Sequence, residues 1–427
     1  MLPVCRGVCV SIILSVTARS AVQAENWPQW RGGRHDGISR ESKVPVHFSK
    51  TENLAWKLPL PNRGGATPVV WDDHIFLTSP AEDDDRLLLI CVSTAGHTLW
   101  KKEMGKGNKN ARMTEGNSAA PSPSTDGTHV WAFLGTGILG CYDFDGNEAW
   151  KFDVQDRYGK LNIAFGMTST PVLDGDRLYL QLIHGDGNAK TREAVVVCLD
   201  KETGKEIWKQ PRPSDAYAEN EHSYASPTLY RDGNQAFLLT HGADWIIAHS
   251  LDDGHELWRC GGLQPDTYDS TLRLVSSPVA IPGLIIAPSA KGGRVVAIRP
   301  GGSGDITNSK YKLWRYAPTP DVPSPLIVDD LVYLFRENSV LICVDAKTGE
   351  KHYEHRVAQS DNNRASPVYA VGNVYLASRN GTITVVKAGP KFEQVWQTSL
   401  DDSITSSPAV ANGTLYLRSN TALWAFE

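Results

Sequence analysis

The stretch SPLIVDDLVYLFRENSVLICVDAKTGEKHY, residues 324–353, holds one full copy of a pattern that fills the chain. A Ser-Pro step opens it, a short apolar run follows, and after a turn a second run places Tyr333 eight positions beyond Pro325. Two short apolar runs joined by a tight turn form a β-hairpin. A third run ends at Cys343, and a fourth carries an aromatic at Tyr353. The copy therefore reads as four short antiparallel strands.

Working outward, a Ser-Pro or Thr-Pro step recurs eight times, at Pro68, Pro123, Pro171, Pro227, Pro278, Pro325, Pro367 and Pro408. In five copies an aromatic stands eight positions later: Phe76, Tyr179, Tyr333, Tyr375 and Tyr416. A second series interleaves with the first, at Trp100, Trp150, Trp208, Trp258, Trp314, Tyr353 and Trp396, with Trp56 as an orphan at the start. Units of roughly 40 to 55 residues, each one four-stranded sheet, are propeller blades. The chain ends at Pro408 and "ALWAF" with no outer aromatic strand of its own. The strand around Trp56 is thus expected to complete the last of eight blades, which leaves the ring without an open edge. One aromatic per blade at a fixed slot is read as a plug between neighbouring sheets.

Composition agrees with an all-β fold. The 37 Gly, 25 Pro and 13 Trp beside 4 Met favour turns and aromatic plugs over long helices. Lys+Arg 43 against Asp+Glu 48 gives a formal charge of -5, which lacks the basic footprint of a nucleic-acid binder. Residues 1–24 carry Arg6, an apolar stretch and a small-residue exit at Ala24, the pattern of a cleaved signal peptide. Residues 25–427 are then a single propeller domain, exported to the periplasm or secreted, without a lipid anchor or a transmembrane segment, and expected to be monomeric. The five remaining cysteines, Cys91, Cys141, Cys198, Cys260 and Cys343, are odd in number and lack C-x-x-C spacing. They are read as small buried residues, not as a disulfide framework.

The segments CLDKETGKEIW (198–208) and CVDAKTGEKHY (343–353) resemble the docking repeat of pyrroloquinoline-quinone-like (PQQ-like) propellers, A-x-D-x-x-T-G-x-x-x-W. The opening NWPQWRGGRHDGIS (26–39) is similar to the leading segment of secreted bacterial members. The resemblance implies an eight-bladed propeller of four-stranded blades. It also implies two classes of function: quinone-dependent dehydrogenases, with PQQ and calcium as cofactors, and noncatalytic propellers that include a scaffold of outer-membrane protein assembly. The chain has neither the adjacent Cys-Cys pair of alcohol-oxidising members nor the lipid-attachment cysteine of the scaffold. The sequence reading is an exported noncatalytic binding propeller. A PQQ-dependent dehydrogenase for an alcohol or sugar, and an assembly scaffold, are the alternatives.

Local motifs add little. GTGILG, 135–140, satisfies G-x-G-x-x-G, but it lies between two strands and reads as a hairpin turn. AEDDDR, 81–86, reads as a solvated tip, and no metal site is assigned. Propeller geometry is more informative, because the loop entering each innermost strand and the loop joining the second and third strands share one face. On that rim the expected ligand contacts are Glu221, His222, Tyr224, His241, Asp244, Arg273, Lys291, Asp321, Arg336, Glu337, Arg364 and Arg379, with Glu115 and Asn117 on a neighbouring loop. The ligand expected there is a protein, a small molecule or a polysaccharide. Under the dehydrogenase alternative, Arg273, Lys291, Arg336 or Arg364 pairs with cofactor carboxylates, Asp244 or Asp321 is the base, and Glu221 helps hold calcium. Four long loops, near 106–118, 153–169, 211–226 and 260–277, are expected to form a lid over half the rim.

Overall fold

The computed structural model describes residues 25–111, 116–185 and 194–427. The segment read as a signal peptide, and Glu115, lie outside them. Among the described residues the strands form eight sheets around a central channel, and short helices occur at Val154–Tyr158 and Ala218–Glu221. Seven blades span 69–105, 124–153, 172–211, 228–260, 279–316, 326–356 and 368–399. The eighth combines 409–426 with Leu54–Pro59, which pairs antiparallel with Ala422–Phe426 and sets Trp56 opposite Ala425. The offset of the two aromatic and proline series is this closure. One blade departs from the expected four strands: Gly304–Asp305 adds a short parallel strand outside Glu256–Cys260, with Gly304 opposite Trp258.

In five of the eight blades the outer aromatic locks the blade to the next. The indole N–H groups of Trp56, Trp100, Trp150, Trp208 and Trp314 donate to the carbonyls of Thr94, Phe144, Lys201, Leu251 and Ala346 in the following blade. The ring needs a flat seat there. At Gly204 (φ 64°) and Gly254 (φ 77°) an added Cβ would lie 2.8 Å from Trp150 and 2.5 Å from Trp208, so glycine is required by both conformation and space. The blade ending at Trp396 has no such turn ahead of it in the ring. Its indole donates to Phe48 and packs edge-on against His47 at 4.9 Å, so the leading segment supplies the missing seat.

The innermost contact is a closed ring. The N–H of Thr67 donates to the hydroxyl of Ser122, Ser122 to Thr170, Thr170 to Ser226 and Ser226 to Ser277. From there Ser277 donates to Ser324, Ser324 to Ser366, Ser366 to Ser407, and Ser407 back to Thr67. These are the Ser/Thr residues of the eight Ser/Thr-Pro steps, and the donor to acceptor distances run from 2.8 Å to 3.1 Å. Proline cannot donate, so the residue before it is the last N–H available at the top of each inner strand.

The leading segment seals the other end. Trp27 exchanges two backbone hydrogen bonds with Val70, Gln29 binds the backbone of Leu173 through both amide atoms, and Gly37 accepts from Tyr369. Arg31, fully buried, donates to the carbonyls of Pro325 and Pro367. The five free cysteines are all buried, as their shared slot implies. No helix among the described residues is long and apolar enough to cross a membrane.

Removing one ring hydroxyl strands the N–H of the preceding blade. Ser277→Ala is expected to lower the unfolding free energy by about 1 to 3 kcal/mol, whereas Ser277→Thr, the residue found at 67 and 170, leaves it within about 0.5 kcal/mol. Urea titration measures both. Equal losses would show that the hydroxyl is not the stabilising group.

Candidate functional site

Above the sealed end the channel opens into a cavity of about 200 Å³ on the face of the incoming loops. Trp30 lies at its floor, and the ring of eight hydroxyls forms its wall. Phe165, Tyr224, Arg273, Asp321 and Arg364 also line it. Each of these rests on a loop fixed by its neighbours. The backbone of Tyr224 donates to Leu274 and accepts from the Thr168 hydroxyl, while its phenol accepts from the N–H of Phe165. Arg273 pairs with Glu219 at 2.9 Å and lies 4.9 Å from the centre of the Phe165 ring. The Asp321 carboxylate accepts from the backbone of Lys291 at 3.3 Å. Arg364 follows Asn363, a fully buried side chain that reaches Ser339 and the backbone of Arg379.

The expected rim residues thus divide. Tyr224, Arg273, Asp321 and Arg364 meet at the cavity. Asp244, Lys291, Arg336, Glu337 and Arg379 form an outer belt that braces the incoming loops. The Asp244 carboxylate collects donors from Asn220, Gln264 and Tyr268, and burial raises its pKa above the usual carboxylate value against those bonds. Lys291 reaches Thr271 at 2.8 Å, Arg336 pairs with Glu337 at 3.5 Å, and Arg379 accepts from Ile404 through its carbonyl. His241 was expected on the surface of the rim and is instead fully buried between blades, its Nε2 donating to Pro288 at 2.6 Å. Glu221 is buried in the short helix Ala218–Glu221, and the His222 Nε2 contacts Gly185, away from the lining. Three of the long loops are tied to one another: Asn220 donates to Asp269, Ser223 bridges Leu274, and Thr168 reaches Tyr224. Asn117 ties the fourth to Arg63.

The ring hydroxyls and Trp30 were not among the expected contacts. The signal was present in the recurrence itself. A proline alone would serve the turn, yet a hydroxyl precedes it in all eight copies.

The lining also bears on the cofactor that the family resemblance implies. Calcium takes about six to eight oxygen ligands, normally with several carboxylates. Asp321 is the one carboxylate among the described lining residues, while Glu221 and Asp244 stand elsewhere. Among the described residues the lining thus supplies one of the several carboxylates that a calcium-held quinone would call for. A grouping of three potential ligands, Asp126, His129 and Glu202, lies outside the cavity lining, and the ammonium of Lys201 already sits 2.6 Å from Asp126. In the acidic tip at 81–86, Asp83 is bound to Arg86 of the same loop and Asp84 accepts from Asn62, Asn108 and Asn110 of neighbouring segments. GTGILG, 135–140, covers the turn after His129–Phe133 and the first residues of the strand Ile138–Asp143.

A family model described as outer membrane protein assembly factor BamB matches residues 135–387 and 307–427. The chain belongs to the PQQ-like β-propeller repeat family. Among solved structures, BamB from Moraxella catarrhalis is similar at 14% identity and TM-score 0.60, over 85% of this chain and 94% of that one. A europium-containing methanol dehydrogenase is similar at 12% identity and TM-score 0.70, over 92% and 89%. The quinohemoprotein alcohol dehydrogenase ADHIIG from Pseudomonas putida HK5 is similar at 12% identity and TM-score 0.62, over 94% and 80%. Comparison with curated proteins finds no match. At these identities the structural likenesses establish the shared PQQ-like propeller fold, and both a scaffold and dehydrogenases carry it.

The buried histidines His35, His241 and His249 are expected to make the PQQ-like propeller acid-sensitive. Burial lowers His241 to about 3, and His35 and His249 to about 4, from an ordinary value of 6.5. Between those values and 6.5 the unfolded chain takes up protons that the folded chain refuses, so stability falls as pH drops through that window. Urea midpoints are expected to decline from about pH 6.5 to about pH 4, with a shallower decline in His241→Asn. A flat profile in the native protein would contradict the assignment.

Proposed function

We propose that this chain is an exported binding propeller without chemistry of its own, holding a ligand or the tip of a partner in the cavity at its channel mouth. The observation that carries the reading is the asymmetry of the channel. One end is closed by the leading segment, and the other opens onto a walled cavity where Tyr224, Arg273, Asp321 and Arg364 stand on fixed loops. Concave sites with a few placed polar groups are the usual form of a ligand pocket. Export rests on the signal-like residues 1–24.

The scaffold reading is supported by the family model and by an aromatic patch on the tied loops. Tyr217 and Tyr268 stack at 5.1 Å between ring centres and are 52% and 41% exposed, a surface that suits a protein contact. In that reading a partner's segment enters the same mouth.

Filling the cavity separates these readings from a surface without function. Val275→Trp and Val322→Trp place an indole in the lining, and both positions are only half-buried. In a thermal-shift screen of small metabolites and glycans, at least one compound is expected to stabilise the native protein and to lose its effect in both variants. Stabilisation that survives filling would contradict the cavity as the site. With PQQ and calcium added, dye-linked oxidation of alcohols and sugars is expected to stay at background; turnover abolished by Asp321→Asn would make the chain an enzyme.

A further inference from the structure

The hydroxyl ring leaves a remainder that the fold does not use. Each of the eight hydroxyls spends one lone pair on a backbone N–H, and among the described residues no protein acceptor takes its proton. All eight line the cavity. A hydroxyl offers one donor and two acceptor sites, so every member keeps a proton and a lone pair for the lumen. This capacity is spread around the whole axis, one hydroxyl from each blade.

The floor is a second, independent observation. Trp30 is half-buried and lines the same cavity, with the Arg31 guanidinium 5.9 Å from the centre of its ring. Both of its neighbours in the chain are anchored. Gln29 is held to the Leu173 backbone through both amide atoms, and the fully buried Arg31 donates to the Pro325 carbonyl at 2.7 Å. These anchors hold the indole at the floor. An indole face is apolar and carries the negative side of the ring quadrupole, so it attracts C–H surfaces and not hydroxyl oxygens.

Wall and floor together select the shape of an occupant. Hydroxyls on every side are used best by a molecule with hydroxyls around its own perimeter. An inorganic anion or a chain end meets one side of the ring and leaves the rest to water. The floor calls for a face without polar groups, because a hydroxyl pressed onto an indole loses its hydrogen bonds to water. A polar edge and an apolar face occur together in a pyranose, whose hydroxyls project outward while its axial C–H groups form the face. The size agrees. An apolar cavity of about 150 Å³ holds one benzene ring, so about 200 Å³ has room for one polyhydroxylated ring of about twelve heavy atoms.

We propose that the cavity binds one pyranose ring, lying on Trp30 and hydrogen-bonded at its edge by the Ser/Thr hydroxyl ring. This rests on the cavity being a ligand site. Calorimetric titration of the purified protein with glucose, galactose, mannose, sorbitol and citrate tests it. At least one of the three sugars is expected to bind tenfold or more tightly than citrate and than sorbitol, which carries its hydroxyls on an open chain. As the ligand is uncharged, its affinity is expected to be unchanged by salt. Trp30→Ala is expected to lose tenfold or more, and Trp30→Phe, which keeps an aromatic face, to recover part of it. In saturation-transfer NMR, irradiating the aromatic protons of the native protein is expected to mark the axial C–H groups of the bound sugar, and the effect is lost in Trp30→Ala. Ser324→Ala is expected to weaken binding about threefold while Ser324→Thr stays within about twofold. A disaccharide ending in the best sugar separates the two sources of such a ring: a glycan end binds at least as tightly as the monosaccharide, a free sugar more tightly than its disaccharide, and both results support the inference. Sorbitol or citrate binding as tightly as the best sugar, sugar affinity unchanged in folded Trp30→Ala, or no sugar binding to folded native protein would overturn it. The filling variants decide the wider reading. A ligand of another class that is lost on filling leaves the cavity as the site, whereas sugar binding that survives filling removes both.

Discussion

The hydrogen bond from a backbone N–H of one blade to a Ser or Thr hydroxyl of the next, repeated until it returns to its origin, is the constraint on which the molecule depends. It joins all eight blades at the axis, where their inner strands are closest, and its last member links Ser407 to Thr67 across the seam between the chain's two ends. The pairing of Leu54–Pro59 with Ala422–Phe426 closes the same seam at the outside. A propeller has little sequence-local structure to hold one blade against another, so closure at both radii is what makes the ring a single unit.

The ring also explains why the site lies where it does. A hydroxyl that accepts a structural hydrogen bond still has a proton to donate, so the interaction that closes the fold lines its axis with donors. Trp30 and the buried contacts of Arg31 stop the lumen from below. The incoming loops then add charge and aromatic surface on one face. The outer belt, with Asp244 at the centre of three donors, holds those loops in place without touching the lumen.

The architecture was legible because proline and tryptophan leave marks that do not depend on context. Pro325 and its seven equivalents fix strand starts, and Trp56 without a blade of its own implies a shared sheet. The site was legible only by face. The sequence assigns His241 and Arg364 to the same rim, yet one is sealed between blades and the other lines the cavity, because depth along a strand depends on how neighbouring blades pack. The fifth strand at Gly304–Asp305 was not visible either. Two residues carry too little pattern to announce a pairing, and this one forms where the following blade lacks the usual turn to seat Trp258. The hydroxyls were visible as letters, but their role required knowing that equivalent positions of adjacent blades touch.

Hydrogen exchange resolved to single amides tests the central constraint directly. The amides of the ring Ser and Thr residues sit beside an open lumen, so ordinary burial alone would not make them all equally slow. If the ring closes the fold as one cooperative unit, all eight exchange only through global unfolding, with one common free energy that matches the urea value. Blade-by-blade differences among the eight, with some exchanging by local opening, would contradict it.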